Sequence, residues 1–277
     1  MKKKLKIIFM GRKPAASVAL RRLVDRGVEV VAVVAPLHPE QPVDSTFWRP
    51  LLRNTAKELG IPVVTDEKLY ECLAHPDGEE CRKLRINDLD LVVSFLFWKK
   101  IRKSLIEAPR LGCFNFHPAP LPEFRGRRGY NFAILEGSEE YGATVHWVDE
   151  GIDTGDVVEV RRFKIAQLET AFSLEQRTMA LMLEMFDDFI EGVIVGNRIS
   201  RIPQGPGKSA TKKEMLDASV VQFDDDPELI SRKARAFWYP PHSGATIEIG
   251  GKKFTIVDEE TLSRLGRFMH GSRDKPS

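Results

Sequence analysis

Nearly continuous apolar runs alternate with helical patterns along the first half of this chain. Residues 6–10, 28–35 and 89–97 are predicted to be buried strands, because almost every side chain in them is apolar. Helical patterns cover residues 15–25 and 50–59. Apolar strands separated by helices are typical of a parallel sheet that is covered on both faces. The sequence therefore predicts an α/β, Rossmann-like fold with a mostly parallel sheet.

The character of the chain changes in its last third. Residues 196–211 are rich in Gly, Pro and polar residues and are predicted to form a connecting loop. After this loop, residues 227–236 carry a helical pattern, and residues 245–257 indicate a β-hairpin that turns at a Gly-Gly pair. We therefore predict a Rossmann-like domain at residues 1–205 and a small mixed C-terminal domain at residues 206–277.

Charge balance and cysteine content limit what the chain is expected to bind and where it works. The 42 lysines and arginines offset 40 aspartates and glutamates, and this net charge of +2 argues against nucleic acid as the main partner. The three cysteines cannot all pair, and Cys113, within an apolar run, is expected to be a reduced, buried thiol. Residues 5–10 are too short an apolar run for a signal peptide, and no apolar stretch is long enough to span a membrane. We expect a soluble, cytoplasmic protein without membrane contact.

The segment around Asn115 and His117 has the composition of an active-site edge. Because these residues are two positions apart, their side chains point to one face of a predicted strand, while Phe114 and Phe116 point to the other. The prolines that follow, beginning at Pro118, end regular structure abruptly. A surface histidine beside a proline-rich turn is the alternative explanation. Delivery of an amide and an imidazole to one face favours catalysis.

A second polar segment, residues 148–158, joins strand-like runs at residues 142–148 and 157–163. Asp153 is its best candidate for a catalytic carboxylate, because Ile152 before it is expected to be a core anchor. A carboxylate near an imidazole raises the pKa of the imidazole and orients the ring. The acidic residues of this segment would otherwise form a solvated loop or bind a cation, but their spacing differs from that of a calcium loop. We predict no metal site.

The chain resembles the 10-formyltetrahydrofolate-dependent formyltransferases in three motifs that occur in the family's order. They are Asn115-x-His117-Pro118, Leu121-Pro122-x-x-Arg125-Gly126 and Gly151-Ile152-Asp153-Thr154-Gly155-Asp156. The resemblance spans roughly residues 5–205 and implies catalytic roles for Asn115, His117 and Asp153. It also implies 10-formyltetrahydrofolate as the formyl donor. Many members have Ser-Leu-Leu-Pro after the histidine, whereas Ala119-Pro120-Leu121-Pro122 here is most similar to the sugar N-formyltransferases.

The resemblance also implies binding residues. By motif position, the expected donor-binding residues are Phe95, Leu96, Phe97, Arg125 and Gly126. The side chains of residues 95–97 would equally suit the core, since the family binds the pterin mainly through backbone atoms. The expected acceptor-binding residues are Tyr130, Trp238 and Tyr239. In the sugar subgroup the acceptor is the amino group of a nucleotide-linked, commonly dTDP-linked, amino-dideoxy sugar. The aromatic segment at residues 238–241 would otherwise seal the C-terminal domain onto the main domain.

Two other functions stay open. A methionyl-tRNA formyltransferase is the first, and the near-neutral charge and short C-terminal region argue against it. A folate- or nucleotide-binding protein without turnover is the second, but such a protein needs no catalytic trio. A sugar N-formyltransferase would serve lipopolysaccharide or O-antigen biosynthesis, and the family resemblance suggests a homodimer.

Overall fold

The computed structural model describes residues 4–36, 51–239, 242 and 244–263. Their contacts divide into two compact units. The first unit contains the described residues of Met1–Arg125, Gly142–Arg162 and Thr178–Gly207. The second contains those of Gly126–Tyr141, Phe163–Arg177 and Lys208–Ser277. The functional division between residues 1–205 and 206–277 stays a prediction.

The strands form a mostly parallel main sheet. In chain order they are β1 (Lys6–Gly11), β2 (Glu29–Val34), β3 (Val63–Val64), β4 (Leu91–Phe95), β5 (Gly112–His117), β6 (Arg125–Gly126), β7 (Glu140–Trp147), β8 (Val157–Lys164), β9 (Ser209–Ala210), β10 (Ala245–Ile249) and β11 (Lys252–Ile256). The main sheet has the order β3-β2-β1-β4-β5-β7-β8. Every pair from β3 to β5 is parallel, and β7 runs antiparallel to β5. The predicted α/β fold is confirmed.

The carboxyl ends of the parallel strands meet at one edge of the sheet. β4 is fully buried and ends at Phe95, earlier than predicted, because Leu96 adopts a left-handed φ of 63°. Gly11 ends β1 beside it, and a Cβ at Gly11 would lie 2.5 Å from the carbonyl oxygen of Phe95. Strand order reverses between β1 and β4, the position at which sheets of this kind bind ligands.

Several helices escaped the sequence analysis. The helices are α1 (Lys13–Asp25), α2 (Leu52–Glu58), α3 (Asp66–Ala74), α4 (Glu79–Leu84), α5 (Lys103–Ile106), α6 (Tyr130–Leu135), α7 (Ala171–Val195), α8 (Lys212–Ala218) and α9 (Pro227–Phe237). The sequence predicts α1, α2 and α9, and helical patterns at residues 129–135 and 169–191 also predict α6 and α7, but α3, α4, α5 and α8 were missed. The start of α3 was readable, because the Thr65 hydroxyl accepts a hydrogen bond from the Lys68 backbone N–H at 3.0 Å. In the part of the chain that is described, no helix is both long and apolar enough to cross a membrane.

Aromatic side chains pack the first unit beneath the edge where β4 and β5 end. The Phe95 and Phe116 rings stack with centroids 5.5 Å apart, and Phe186 of α7 meets both rings edge-on. Such pairs hold neighbouring strands in a fixed register. Cys72 and Cys81 form a disulfide between α3 and α4. The remaining thiol, Cys113, is buried as expected, and burial raises its pKa.

The second unit contains α6, α9 and the C-terminal hairpin. α6 packs against α9, where the Asn131 side chain donates a hydrogen bond to the Ala236 carbonyl at 2.6 Å. β10 and β11 pair antiparallel and turn at Gly250 and Gly251, which have φ values of 57° and 76°. Glycine is favoured at such positive φ values, so the predicted hairpin is confirmed.

Candidate active site

β5 places Asn115 and His117 on one face, and the alternation along the strand explains why. Phe114 and Phe116 are buried in the core on the opposite face. In the antiparallel register with β7, Asn115 lies opposite His146. His146 is only 2% exposed, and the sequence analysis did not identify it. β5 and β7 therefore bring a second imidazole to the predicted site.

The turn between β7 and β8 carries Asp153. The Asp149 carboxylate closes this turn by accepting hydrogen bonds from the Gly151 N–H at 2.9 Å and the Thr154 hydroxyl at 2.7 Å. Asp153 has a left-handed φ of 53°, which directs its side chain back toward β5. Our interpretation of Ile152 as a core anchor is wrong, because its side chain is 67% exposed. The hydrogen bonds of Asp149 hold the turn in place of an apolar anchor.

The three predicted catalytic side chains meet in one cluster. His117 Nδ1 lies 3.5 Å from Asp153 Oδ2. Asn115 Nδ2 lies 3.4 Å from Asp153 Oδ1, so that each carboxylate oxygen faces one of the two β5 residues. In the ranges that the structure describes, no group of three or more His, Cys, Asp or Glu residues could hold a metal ion. The cluster thus combines an amide donor, an imidazole and a carboxylate.

Both ring nitrogens of His117 face hydrogen-bond acceptors. Nε2 donates to the Phe124 carbonyl at 2.9 Å, and Nδ1 faces Asp153. Burial lowers the pKa of His117, while Asp153 and the Phe124 carbonyl act in the opposite direction and nearby His146 lowers it further. Burial prevails, so the imidazole tends to be neutral near pH 7. Because Nδ1 then faces a carboxylate without a proton between them, this nitrogen is ready to take up a proton.

Hydrogen bonds orient the Asn115 amide from both sides. The Ser94 hydroxyl donates to Asn115 Oδ1 at 2.6 Å. His146 Nδ1 donates to the Trp147 carbonyl at 2.7 Å, so its Nε2 is left to accept from Asn115 Nδ2 at 3.0 Å. Ser94, Asn115 and His146 are direct cross-strand partners on β4, β5 and β7. The N–H₂ side of the amide is therefore directed at the Asp153 carboxylate.

The proline-rich segment after His117 positions the Phe124 carbonyl. The Thr144 hydroxyl donates to the Ala119 carbonyl at 2.8 Å and accepts from the Leu121 N–H at 3.0 Å. Thr144 lies opposite His117 in the register of β5 and β7. The loop is thus attached to the neighbouring strand, and Phe124 returns to the imidazole seven residues after it.

The predicted donor-binding residues fall into two groups. The Phe95 side chain is fully buried, so that a ligand would meet only its backbone, whereas Leu96 and Phe97 are half-buried. The Arg125 guanidinium donates to Gln204 Oε1 at 2.8 Å and to the Gly205 carbonyl at 2.9 Å. Gly126, which follows it, has a φ of 63°. A donor role for these residues stays a prediction.

The predicted acceptor-binding residues belong to the second unit. The Tyr239 hydroxyl donates to the carboxylate of Glu175, which is fully buried, and the Tyr239 ring contacts Phe172. The Tyr130 ring lies 5.5 Å from that of Tyr141. Pro240 and Pro241 lie outside the described residues. These contacts give Tyr239 a packing role, and its acceptor role stays a prediction.

Known proteins resemble this chain in sequence and in fold. The family model described as formyl transferase matches residues 5–188. Methionyl-tRNA formyltransferase from Geobacter metallireducens is 31% identical over 95% of this chain and 82% of that protein, and its counterpart from Geobacter sulfurreducens is 30% identical over 98% and 81%. A 4-N formyltransferase from Francisella tularensis superposes with a TM-score of 0.73 at 18% identity, covering 92% of this chain and 97% of that chain.

The N-formyltransferase from Helicobacter canadensis, in a complex with folinic acid and dTDP-3-aminofucose, gives a TM-score of 0.69 at 20% identity, covering 91% of this chain and 86% of that chain. Identities this low establish a shared fold only. The family match covers more than half of the chain and contains Asn115, His117 and Asp153. The chain therefore belongs to the formyl transferase family.

Proposed function

We propose that this chain transfers a formyl group from 10-formyltetrahydrofolate to the amino group of a nucleotide-linked amino sugar, such as a dTDP-amino sugar. One observation carries the proposal. In a member of the formyl transferase family, the Asn115 amide, the His117 imidazole and the Asp153 carboxylate meet at the edge where β5 ends. A binding protein without turnover has no need of this arrangement.

The chemistry needs a hydrogen-bond donor for the formyl oxygen and a carrier for one proton. When the acceptor amine attacks the formyl carbon, negative charge develops on that oxygen. One Asn115 N–H is donated to His146, and the other, which faces Asp153 across 3.4 Å, is the proposed donor to the formyl oxygen. The amine loses a proton, and N10 of the folate gains one as the carbon–nitrogen bond breaks. His117 Nδ1 takes up the first proton beside Asp153 and returns it to N10. The balance needs no metal or covalent intermediate.

The surface next to the trio suits the flat, partly apolar donor. Leu96 and Phe97 are half-buried at the end of β4, and Ile152 is exposed in the turn that carries Asp153. We propose that the exposed Ile152 side chain contacts the donor. We propose that the backbone at residues 95–97 receives the pterin. The folinic acid in the Helicobacter canadensis neighbour supports a folate donor.

Two acceptors have support. The sugar-modifying neighbours and the nearly equal numbers of acidic and basic residues at positions 206–277 favour a nucleotide-linked amino sugar, with Tyr130, Trp238 and Tyr239 as its proposed contacts. The second candidate is methionyl-tRNA, which the 31% identical relative favours. We propose that the sugar-modifying enzyme acts as a cytoplasmic homodimer in surface polysaccharide biosynthesis.

The test is mass spectrometry of purified protein incubated with 10-formyltetrahydrofolate and a panel of dTDP- and UDP-linked amino sugars, with methionyl-tRNA in parallel. We expect one sugar to gain one formyl group. His117→Ala should lower turnover by a factor on the order of 10²–10⁴ while folate binding persists. His75→Ala, at an exposed position after α3, is the matched control and should keep full turnover.

Each of the other outcomes would assign a different function to this chain. Formylation of methionyl-tRNA alone, with tRNA affinity that falls steeply as salt rises, would make the chain a methionyl-tRNA formyltransferase. Folate binding without formylation of any acceptor would favour a binding protein. Full turnover by His117→Ala would refute the catalytic role of the trio.

A further inference from the structure

The side chain of Gln204 connects Arg125 with the turn that carries Asp153, two parts of the site that are far apart in the chain. Gln204 is partly buried, although Pro203 and Gly205 on either side of it are exposed. Its Oε1 accepts two hydrogen bonds from the Arg125 guanidinium, at 2.8 Å and 3.3 Å. Its Nε2 donates to the Asp153 carbonyl at 3.2 Å and also to the Gly155 carbonyl. Both ends of one amide are therefore occupied.

The two carbonyls that Gln204 binds belong to the turn that directs the Asp153 side chain. Asp153 has a φ of 53°, a left-handed conformation that is unfavourable for most residues with a Cβ and persists only where the surroundings hold it. Two residues later, a Cβ at Gly155 would lie 1.9 Å from the Trp147 carbonyl, so the backbone there is tightly packed. The Gln204 amide thus holds the backbone on both sides of Thr154 at the point where the turn is strained.

The segment that carries Gln204 is itself attached at several points. The backbones of Ile202 and Val157 exchange hydrogen bonds of 2.9 Å and 2.8 Å, and the Trp147 indole donates to the Ser200 carbonyl at 2.9 Å. A Cβ at Gly207 would lie 3.0 Å from the Arg125 guanidinium carbon, so the loop closes over that side chain. Gln204 is therefore a fixed support for the turn.

We propose that Gln204 is a positioning residue, which holds the Asp153 carboxylate within reach of His117 through its hydrogen bonds to the turn. This inference rests on the proposed function for its kinetic consequences. It also assigns Arg125 a supporting role, since the guanidinium orients the Gln204 amide so that its N–H₂ group faces the turn. A displacement of a catalytic group by about 1 Å lowers turnover by up to about 10²-fold.

Two substitutions separate the contact with Arg125 from the contacts with the turn. Gln204→Glu keeps an acceptor for Arg125 but replaces the N–H₂ donor with an oxygen that repels both carbonyls. Gln204→Met has similar length and removes both sets of hydrogen bonds. Gln176→Glu, on an exposed position of α7, makes the same chemical change away from the site and serves as the control.

We expect both Gln204 variants to lower kcat about 10- to 100-fold, with the KM for 10-formyltetrahydrofolate changed less than about threefold. Wild-type kcat in both variants would overturn the proposal. Wild-type kcat in Gln204→Glu alone would also overturn it, because the contact with Arg125 would then be sufficient. If Gln204→Met does not fold, Gln204→Glu decides by the same measurements.

A second measurement does not depend on turnover. Asp153 raises the pKa of His117, so a relaxed turn should lower that pKa in Gln204→Met. Titration of the imidazole by NMR in the full chain, with the signal assigned through His117→Gln, measures it directly. An unchanged His117 titration in a folded Gln204→Met protein would refute the positioning role. If the wild type formylates no acceptor, the proposed function fails, while the titration still tests Gln204.

Discussion

Replacement of Ser94 by alanine removes the donor on the oxygen side of the Asn115 amide and nothing else in the site. Ser94 is 2% exposed on β4, and its hydroxyl donates to Asn115 Oδ1 at 2.6 Å. After the substitution, the amide keeps the contacts on its nitrogen side, to His146 at 3.0 Å and to Asp153 at 3.4 Å. The variant therefore tests whether the two remaining contacts are sufficient to hold the amide in its orientation.

The structure sets the expected size of each effect. Loss of one buried, uncharged hydrogen bond with its acceptor left in place should lower the free energy of unfolding by about 1–2 kcal/mol. For a chain of this size, that loss corresponds to about 2–8 °C in the unfolding midpoint. A reversed amide would place Oδ1 against the Asp153 carboxylate and the bare Nε2 of His146, so reversal stays unfavourable. We therefore expect kcat to fall less than about tenfold, which corresponds to about 1.4 kcal/mol.

The assay compares three variants by thermal unfolding and by formyl transfer at saturating donor and acceptor. Asn115→Ala removes the donor itself and should lower kcat by a factor on the order of 10²–10³. Ser17→Ala changes another fully buried serine, in α1, and measures the stability effect of the same substitution away from the site. If Ser94→Ala lowers kcat as much as Asn115→Ala does, His146 and Asp153 do not hold the amide, and the reasoning is refuted.

Two further predictions concern the ends of β4 and β5. Lys99→Met should raise the KM for the donor several-fold without changing kcat, because Lys99 forms an ion pair at 2.6 Å that attaches the loop after β4 to Asp66. Steady-state kinetics measures this effect, and Lys83→Met, which removes an exposed ion pair, is the control. The pKa of His117 is lowered from 6.5 in the folded state, so below about pH 6.5 the unfolded chain binds more protons and the free energy of unfolding falls. His117→Gln should remove this part of the loss of stability at acidic pH. Urea unfolding at pH 7.5 and 5.5 measures this difference, and equal losses in both proteins would contradict it.

Sequence patterns within single segments predicted the strands and the direction of their side chains. Apolar runs identified the strands of the parallel sheet, and the period of two placed Asn115 and His117 on one face of β5. The sequence did not predict the contacts of Ser94 and His146 with Asn115, because the register of three strands brings these residues together. Register depends on contacts between segments that are distant in the chain, and no spacing within one segment encodes it.

Loop residues show the same limit more clearly. Ile152 has the composition of an anchor, yet side-chain hydrogen bonds from Asp149 close the turn and leave the isoleucine in solvent. Gln204 lies in a segment that we predicted only to connect two parts of the chain. Its role follows from a contact made about fifty residues after Asp153, and a polar loop offers no periodicity from which to infer it.

Strand residues surround the Asn115 amide, whereas loop groups surround His117, and this difference is consistent with a His117 imidazole that changes its protonation state. Strand neighbours fix the Asn115 amide, which keeps one orientation throughout the reaction that we propose. The Phe124 carbonyl and the Asp153 carboxylate, which belong to loops, face the two nitrogens of His117. In the proposed reaction this imidazole gains and loses a proton. With an acceptor at each nitrogen, the imidazolium is stabilised as it forms, while burial favours the neutral ring before and after. A change that loosens Asp153 alone should therefore impair proton transfer and leave oxyanion stabilisation by Asn115 intact.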